Sequence, residues 1–359
     1  MRRPSASLVL LFLGAVLPAP ALAQLQITAR AANISVGGLF QTQYSASSLD
    51  GDGGTANAVD DFFVRRARIL LDLRVGTALD ARIEPDFGGG GAGVGLADMY
   101  FRWTLGRGLR LSVGQFKRAF SQFELASDTD LPAIERDARI EGVGGCPGVG
   151  GICSFSRLAA RLQFDERDIG LRAEGDLGTK VQYSATLTNG EGRNAVDVND
   201  AKSLSGRVTF LLTPTVRLSG FAASHDYLFS DQPIQRAGAF GGDLEIGTFR
   251  KGFHLIAGAI GGDNWRSGTG ADFFAAQALA SYYAALAPGG RLAGIEPMLR
   301  LDRSGTEDAA GVDLNGMILT PGISFYVDGK NWLGFNLDRY DPSTGPSAWS
   351  LKAQAFFYY

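Results

Sequence analysis

Ala348-Trp349-Ser350-Leu351-Lys352-Ala353-Gln354-Ala355-Phe356-Phe357-Tyr358-Tyr359 is the stretch that decides the fold. Counted back from Tyr359, every second residue is Tyr359, Phe357, Ala355, Ala353, Leu351 and Trp349, with Ser350, Lys352 and Gln354 between them. A period of two is the mark of a strand with one apolar and one polar face. The same alternation recurs along the chain. In 79–87, Leu79, Ala81, Ile83, Pro85 and Phe87 oppose Asp80, Arg82, Glu84 and Asp86. In 97–105, Ala97, Met99, Phe101, Trp103 and Leu105 oppose Asp98, Tyr100, Arg102 and Thr104. Ile295, Pro297, Leu299 and Leu301 oppose Glu296, Arg300 and Asp302 in the same way. A charged face repeated strand after strand suits a wet interior.

The other end of the chain reads as an export signal. Arg2 and Arg3 precede an apolar stretch from Leu8 to Val16, and Ala21-Leu22-Ala23 has the small-x-small form of a cleavage site. Residues 1–23 are expected to be a signal peptide removed after Ala23, leaving one domain over 24–359. Pro18 and Pro20 interrupt the apolar run well before it could span a bilayer as a helix. With 45% hydrophobic residues and a mean hydropathy of +0.02, the exported chain has no helical route into a membrane. It can hide apolar side chains at every second position instead, as barrel strands do. The final aromatic strand is similar to the signal that outer-membrane assembly machinery reads, with Tyr359 at its end. A net charge of −3 argues against nucleic acid as a partner.

Strands are predicted near 33–45, 60–75, 78–87, 96–105, 109–117, 167–177, 180–189 and 201–212. The second half continues near 215–225, 238–250, 253–263, 272–285, 292–303, 315–328, 331–340 and 347–359. About sixteen strands is an even number in the range of bacterial barrels. The links support this independently. After even-numbered strands they are short, as in Gly76-Thr77, Gly178-Thr179, Thr213-Pro214 and Asp328-Gly329-Lys330. After odd-numbered strands they are longer and polar, as in 46–59, 190–200 and 304–314. Short periplasmic turns and long outer loops alternate in this way when both chain ends are periplasmic. The expected fold is an all-β, transmembrane antiparallel barrel in the outer membrane of a Gram-negative bacterium. The longest link, 118–166, is expected to fold into the lumen as a third loop.

Phe63-Val64-Arg65-Arg66-Ala67-Arg68, Leu96-Ala97-Asp98-Met99-Tyr100, Leu109 to Lys117 with its Gly114-Gln115-Phe116-Lys117, and Ile134-Glu135-Arg136 together resemble the phosphate-selective porin O and P family. The resemblance is strong over about a quarter of the chain, roughly residues 62–140. It implies a trimeric sixteen-stranded barrel with an infolded third loop and a basic constriction. Matched residue by residue, it implies that Arg65, Arg66 and Arg68 on the wall, Lys117 at the loop entrance, Asp98 facing them and Ser121 in the loop line the constriction. Guanidinium and ammonium groups are natural partners of phosphate oxygens.

The residues themselves are more reserved. On strict alternation Arg66, Arg68 and Arg74 face the lumen and Arg65 faces lipid. Either Arg65 sits near the interface and snorkels, or a bulge turns it inward. Lumen acids such as Asp72, Glu84, Asp98 and Glu296 are about as numerous as lumen bases such as Arg82, Arg172, Arg207 and Arg300, so a pore is better supported than phosphate. Cys146 and Cys153, in an exported chain, are expected to form a disulfide across a Gly-rich turn of the loop. No His lies near them, so a metal site is not expected, and no cofactor is implied. His225 and Ser224 are neighbours on opposite faces, so catalysis is not expected. Gly88 to Gly93 lacks the Lys-Ser/Thr of a phosphate loop and opens no helix. Two functions remain: a passive diffusion channel for small hydrophilic solutes, with a preference for anions such as phosphate, or a non-conducting barrel whose surface loops serve adhesion or structure.

Overall fold

The computed structural model describes residues 25–29, 32–49, 59–89, 93–138, 140, 154–228, 233–268, 270–307 and 311–359. The expected signal peptide, Cys146 and Cys153 lie outside the described residues. β1 spans Leu25–Ala29, β2 Ala32–Leu49, β3 Val59–Val75, β4 Leu79–Asp86, β5 Gly95–Gly106 and β6 Leu109–Lys117. β7 spans Arg167–Leu177, β8 Val181–Thr188, β9 Ser203–Thr213, β10 Val216–Tyr227, β11 Gln235–Gly247 and β12 Gly252–Asp263. β13 spans Asp272–Ala285, β14 Gly294–Glu307, β15 Asp313–Asp328, β16 Asn331–Pro342 and β17 Ala348–Tyr358. Each of β2 to β17 corresponds to one expected strand.

From β2 onward each strand pairs antiparallel with the next, and β17 pairs with β2, closing a sixteen-stranded barrel. Closure leaves no sheet edge exposed. At the seam, the Gly38 and Tyr359 backbones exchange both hydrogen bonds, at 3.0 and 3.1 Å. β17 ends there, so the lower part of β2 would have an unpaired edge. The seventeenth strand, β1, was not expected from the sequence. It folds back on β2 over that stretch, pairing Leu25 with Val36 and Ala29 with Ala32.

The alternation read from the last strand has the expected sense. Trp349, Leu351 and Phe357 are exposed on the outer surface, while Ser350, Lys352 and Gln354 are buried toward the interior. Outward Leu, Val, Phe, Met and Trp side chains on the other strands form the matching apolar exterior. In lipid, exposure of these groups costs nothing, and pairing with neighbouring strands is what satisfies backbone polar groups there. Short connections need backbone shapes that side chains resist, as at Gly178 with φ of 71°.

The described part of the 118–166 link carries two short helices, α1 (Gln122–Leu125) and α2 (Phe155–Arg161), and a 3₁₀ turn at Asp128–Asp130. Ser121, Ser127 and Ser154 cap these three elements by accepting backbone N–H bonds. Phe120, Phe123, Phe155, Leu158, Leu162 and Phe164 of the link share one buried cluster with Phe221, Ile256, Ile260, Phe273, Leu279 and Met298. The latter six are inward residues of β10, β12, β13 and β14. Ile134 joins Leu39, Tyr326, Trp332 and Phe356, and Ile140 joins Ile318 and Tyr340. An apolar core therefore sits between this link and one side of the inner wall. Each fully buried Phe or Leu stabilises that docking by about 1.5–3 kcal/mol.

Candidate functional site

Three arginines of β3 meet the long link because the strand carries one extra residue. Gln41 of β2 pairs with Arg66, but Thr42 pairs with Val64, so Arg65 has no partner of its own in the ladder. The bulge puts Arg65 and Arg66 on the same, inner side. Arg65 donates from Nε and Nη2 to the two carboxylate oxygens of Glu135, at 2.6 and 3.0 Å. Arg66 donates to Gln41 at 2.7 Å and lies 3.3 Å from Asp128. Arg68 bonds to Glu84, Asp86 and Asp128 at 3.0, 2.7 and 3.0 Å. Arg136 adds its own bond to Asp128 at 2.7 Å. Asp128 is thus a buried hub for three guanidinium groups. Burial alone would raise its pKa, but Arg66, Arg136 and Arg68 hold it well below the usual carboxylate range. Glu135 is likewise opposed by burial and pulled down to about 2 by Arg65.

Lys117 bonds to the C-terminal end of α1, and Asp98 pairs elsewhere. Lys117 donates to the carbonyls of Glu124 and Ala126 at 2.6 and 2.9 Å, and Arg136 donates to the same two carbonyls at 3.2 and 2.9 Å. Asp98 accepts from Arg167 at 2.6 Å. Ser121 accepts from the backbone of Glu124 and donates to Asp165. Burial, then the nearby Glu124, raises the Asp165 carboxyl well above its ordinary value. Arg65, Arg66, Arg68 and Lys117 are therefore drawn into one network through residues 124–136. Asp98 and Ser121 belong to separate pairs at its margin. That Asp128, Glu135 and Arg167 would be the partners was not legible in the residues, because those bonds span 60, 70 and 69 residues.

The family profile described as phosphate-selective porin O and P matches residues 36–234, more than half of the chain and all of this network's strands from β3 to β7. The chain belongs to the phosphate-selective porin O and P family. The fold of this porin is shared with solved outer-membrane proteins of low sequence identity. An anion-selective porin from Comamonas acidovorans superposes with a TM-score of 0.64 at 12% identity, covering 91% of this chain and 100% of that one. The outer membrane channel DcaP of Acinetobacter baumannii gives 0.62 at 14% identity, covering 94% and 100%. The trimer form of OmpT of Vibrio cholerae gives 0.60 at 9% identity, covering 91% and 100%. No curated protein is significantly similar in sequence.

Among the described residues, two cavities open between the docked link and the inner wall. An outer cavity of about 440 Å³ sits at the long-link ends of β6 to β8. Arg118, Arg157, Arg161, Arg167, Arg193 and Arg266 line it, against Asp137, Glu166, Asp168 and Glu191. Burial, and then Glu124, raises the Glu166 carboxyl to about 7. A cavity of about 280 Å³ lies toward the short-turn ends, where Arg110, Arg207 and Arg217 face Glu174, Asp243 and Glu245. Arg207 there is bidentate to Asp243, at 2.7 and 2.6 Å. Both cavities use the β6–β9 part of the wall.

Proposed function

We propose that this outer-membrane porin passes small hydrophilic solutes passively and prefers anions, phosphate among them. The observation that carries the preference is the outer cavity, where six arginines stand against four carboxylates. A cavity with an excess of one charge raises the local concentration of counter-ions before they reach the narrowest part. The 118–166 link narrows the bore by docking its apolar side on β10 to β14 and its charged side on β3, which leaves the β4–β9 flank for the solute. Arg65, Arg66, Arg68, Lys117, Asp98 and Ser121 belong to that narrowing, as the family resemblance implies, and act there by holding the link in place. Residues 1–23 direct export, Cys146 and Cys153 brace the link, and the mature barrel assembles as a trimer. The trimer form of the Vibrio cholerae protein supports the last point.

Planar-bilayer conductance of the purified porin in a salt gradient tests the reading. An anion-side reversal potential, with chloride current reduced by inorganic phosphate, is the expected result. A cation-side potential overturns the anion preference, and an absence of conductance leaves an adhesive or structural barrel.

A further inference from the structure

The basic residues that resemblance assigns to the constriction are each committed to a partner in the wall or the link. Arg65 is closed on Glu135, Arg66 and Arg68 on Asp128, and Lys117 on two backbone carbonyls. β7 carries a further arginine, Arg172, placed along the strand between residues that line the two cavities. Asp168 on β7 lines the outer cavity and Glu174 on the same strand lines the inner one. Residues at every second position share a face, so only Gly170 and Arg172 stand between them on the inner row. Gly170 pairs with Gly114 across the β6–β7 ladder, and a Cβ at either would run into the backbone of the adjoining strand. The Arg172 guanidinium lies 4.8 Å from the Phe116 ring centre and 5.3 Å from that of Tyr100. Two aromatic faces hold a planar cation in a fixed orientation.

The charge on Arg172 is also weakly committed. Its ion-pair partner is Glu174, at 3.3 Å, and that carboxylate is shared with Arg110 at 3.4 Å and Arg102 at 3.6 Å. Among the described residues, neither terminal nitrogen of Arg172 donates a hydrogen bond, in contrast to the bidentate Arg207 below it.

We infer that Arg172 is the specificity-determining residue of this channel, offering its two free terminal N–H edges to an oxyanion as it passes from the outer to the inner cavity. The inference rests on the anion-channel reading above. A tetrahedral or carboxylate oxyanion accepts two parallel bonds from a guanidinium fork, whereas chloride accepts them less well. Glu174 supplies the opposing charge that lets the anion leave, since conduction requires both entry and escape.

The test is single-channel recording of the wild-type porin, Arg172→Gln and Arg172→Lys, each judged folded by heat-modifiable electrophoresis. Reversal potential in a KCl gradient and inhibition of chloride current by inorganic phosphate are read for each. Arg172→Gln is expected to lower the anion-to-cation permeability ratio about threefold or more and to raise the half-inhibiting phosphate concentration about tenfold. Arg172→Lys keeps the charge and loses the fork, so the permeability ratio is expected to hold while phosphate inhibition weakens. Should Arg172→Gln fail to fold, the Lys variant still decides, because unchanged phosphate inhibition in it removes the fork from the account. An anion-preferring wild type whose selectivity and phosphate inhibition survive Arg172→Gln overturns the assignment while leaving the channel reading intact. A wild type that prefers cations or does not conduct overturns both.

Discussion

Arg65 and Glu135, 70 residues apart in the chain, are joined by two parallel hydrogen bonds of 2.6 and 3.0 Å. On an unbroken β3 the Arg65 side chain would point to lipid, where an arginine near the bilayer midplane costs about 2–4 kcal/mol. The bulge turns it against the long link. Glu135 is almost wholly buried, so the pair is one whose removal on one side leaves a desolvated charge.

Glu135→Gln is therefore expected to loosen residues 131–138 by about 3–5 kcal/mol and to make the open-channel current larger and noisier. The double variant Arg65→Gln/Glu135→Gln should be milder than Glu135→Gln alone, because it leaves no orphaned charge. A thermal-melt double-mutant cycle with parallel bilayer recordings checks this, and strictly additive effects would count against the pair as the anchor.

Asp128 is ion-paired with Arg66, Arg68 and Arg136 at once. Asp128→Asn leaves three guanidinium groups facing one another without their shared anion. The expected outcome is a wider and more anion-selective channel, read from unitary conductance and reversal potential. A channel indistinguishable from wild type in both would show that the apolar core alone holds the link.

Glu166 carries the pH dependence of the outer cavity. Its pKa is raised from 4.5 to about 7, so burial favours the neutral form. Stability from this group is fully present below the unfolded value and is lost as pH rises through about 7. The same protonation removes one negative charge from the cavity. Anion preference should therefore rise as pH falls from about 9 to about 5, with its midpoint near 7. Glu166→Gln should flatten that profile at its acid limit. A wild-type reversal potential that does not move over the range contradicts the prediction.

Gly38 is the seat of the last aromatic ring. A Cβ at this position would collide with the Tyr359 phenol and with the Arg68 backbone oxygen. Gly38→Val is expected to obstruct the β2–β17 seam and lower the yield of the compact, heat-modifiable form. Combining it with Tyr359→Ala should restore part of that yield, which no general loss of stability would do. Full folding of Gly38→Val on its own would mean that the ring is not seated there.

Much of the barrel was legible in the residues because strand pairing in a membrane obeys a local rule. Side chains alternate with a period of two, so each segment such as 79–87 or 348–359 declares its lipid face on its own. Short and long links declare which end of the barrel they occupy. β1 escaped notice because its pairing depends on where β17 stops, at the far end of the chain, in the register of Tyr358 with Leu39. Only the tertiary structure decided which way Arg65 points. The choice depends on one residue of register between β2 and β3, and no local pattern distinguishes a bulge from a snorkelling side chain. It also decided that Arg66, Arg68 and Lys117 hold the link, while Arg172 keeps open donors between two rings. Charge identities along a strand are readable in sequence, but which carboxylate neutralises which guanidinium depends on where a long link docks, and that is settled by apolar packing across the lumen.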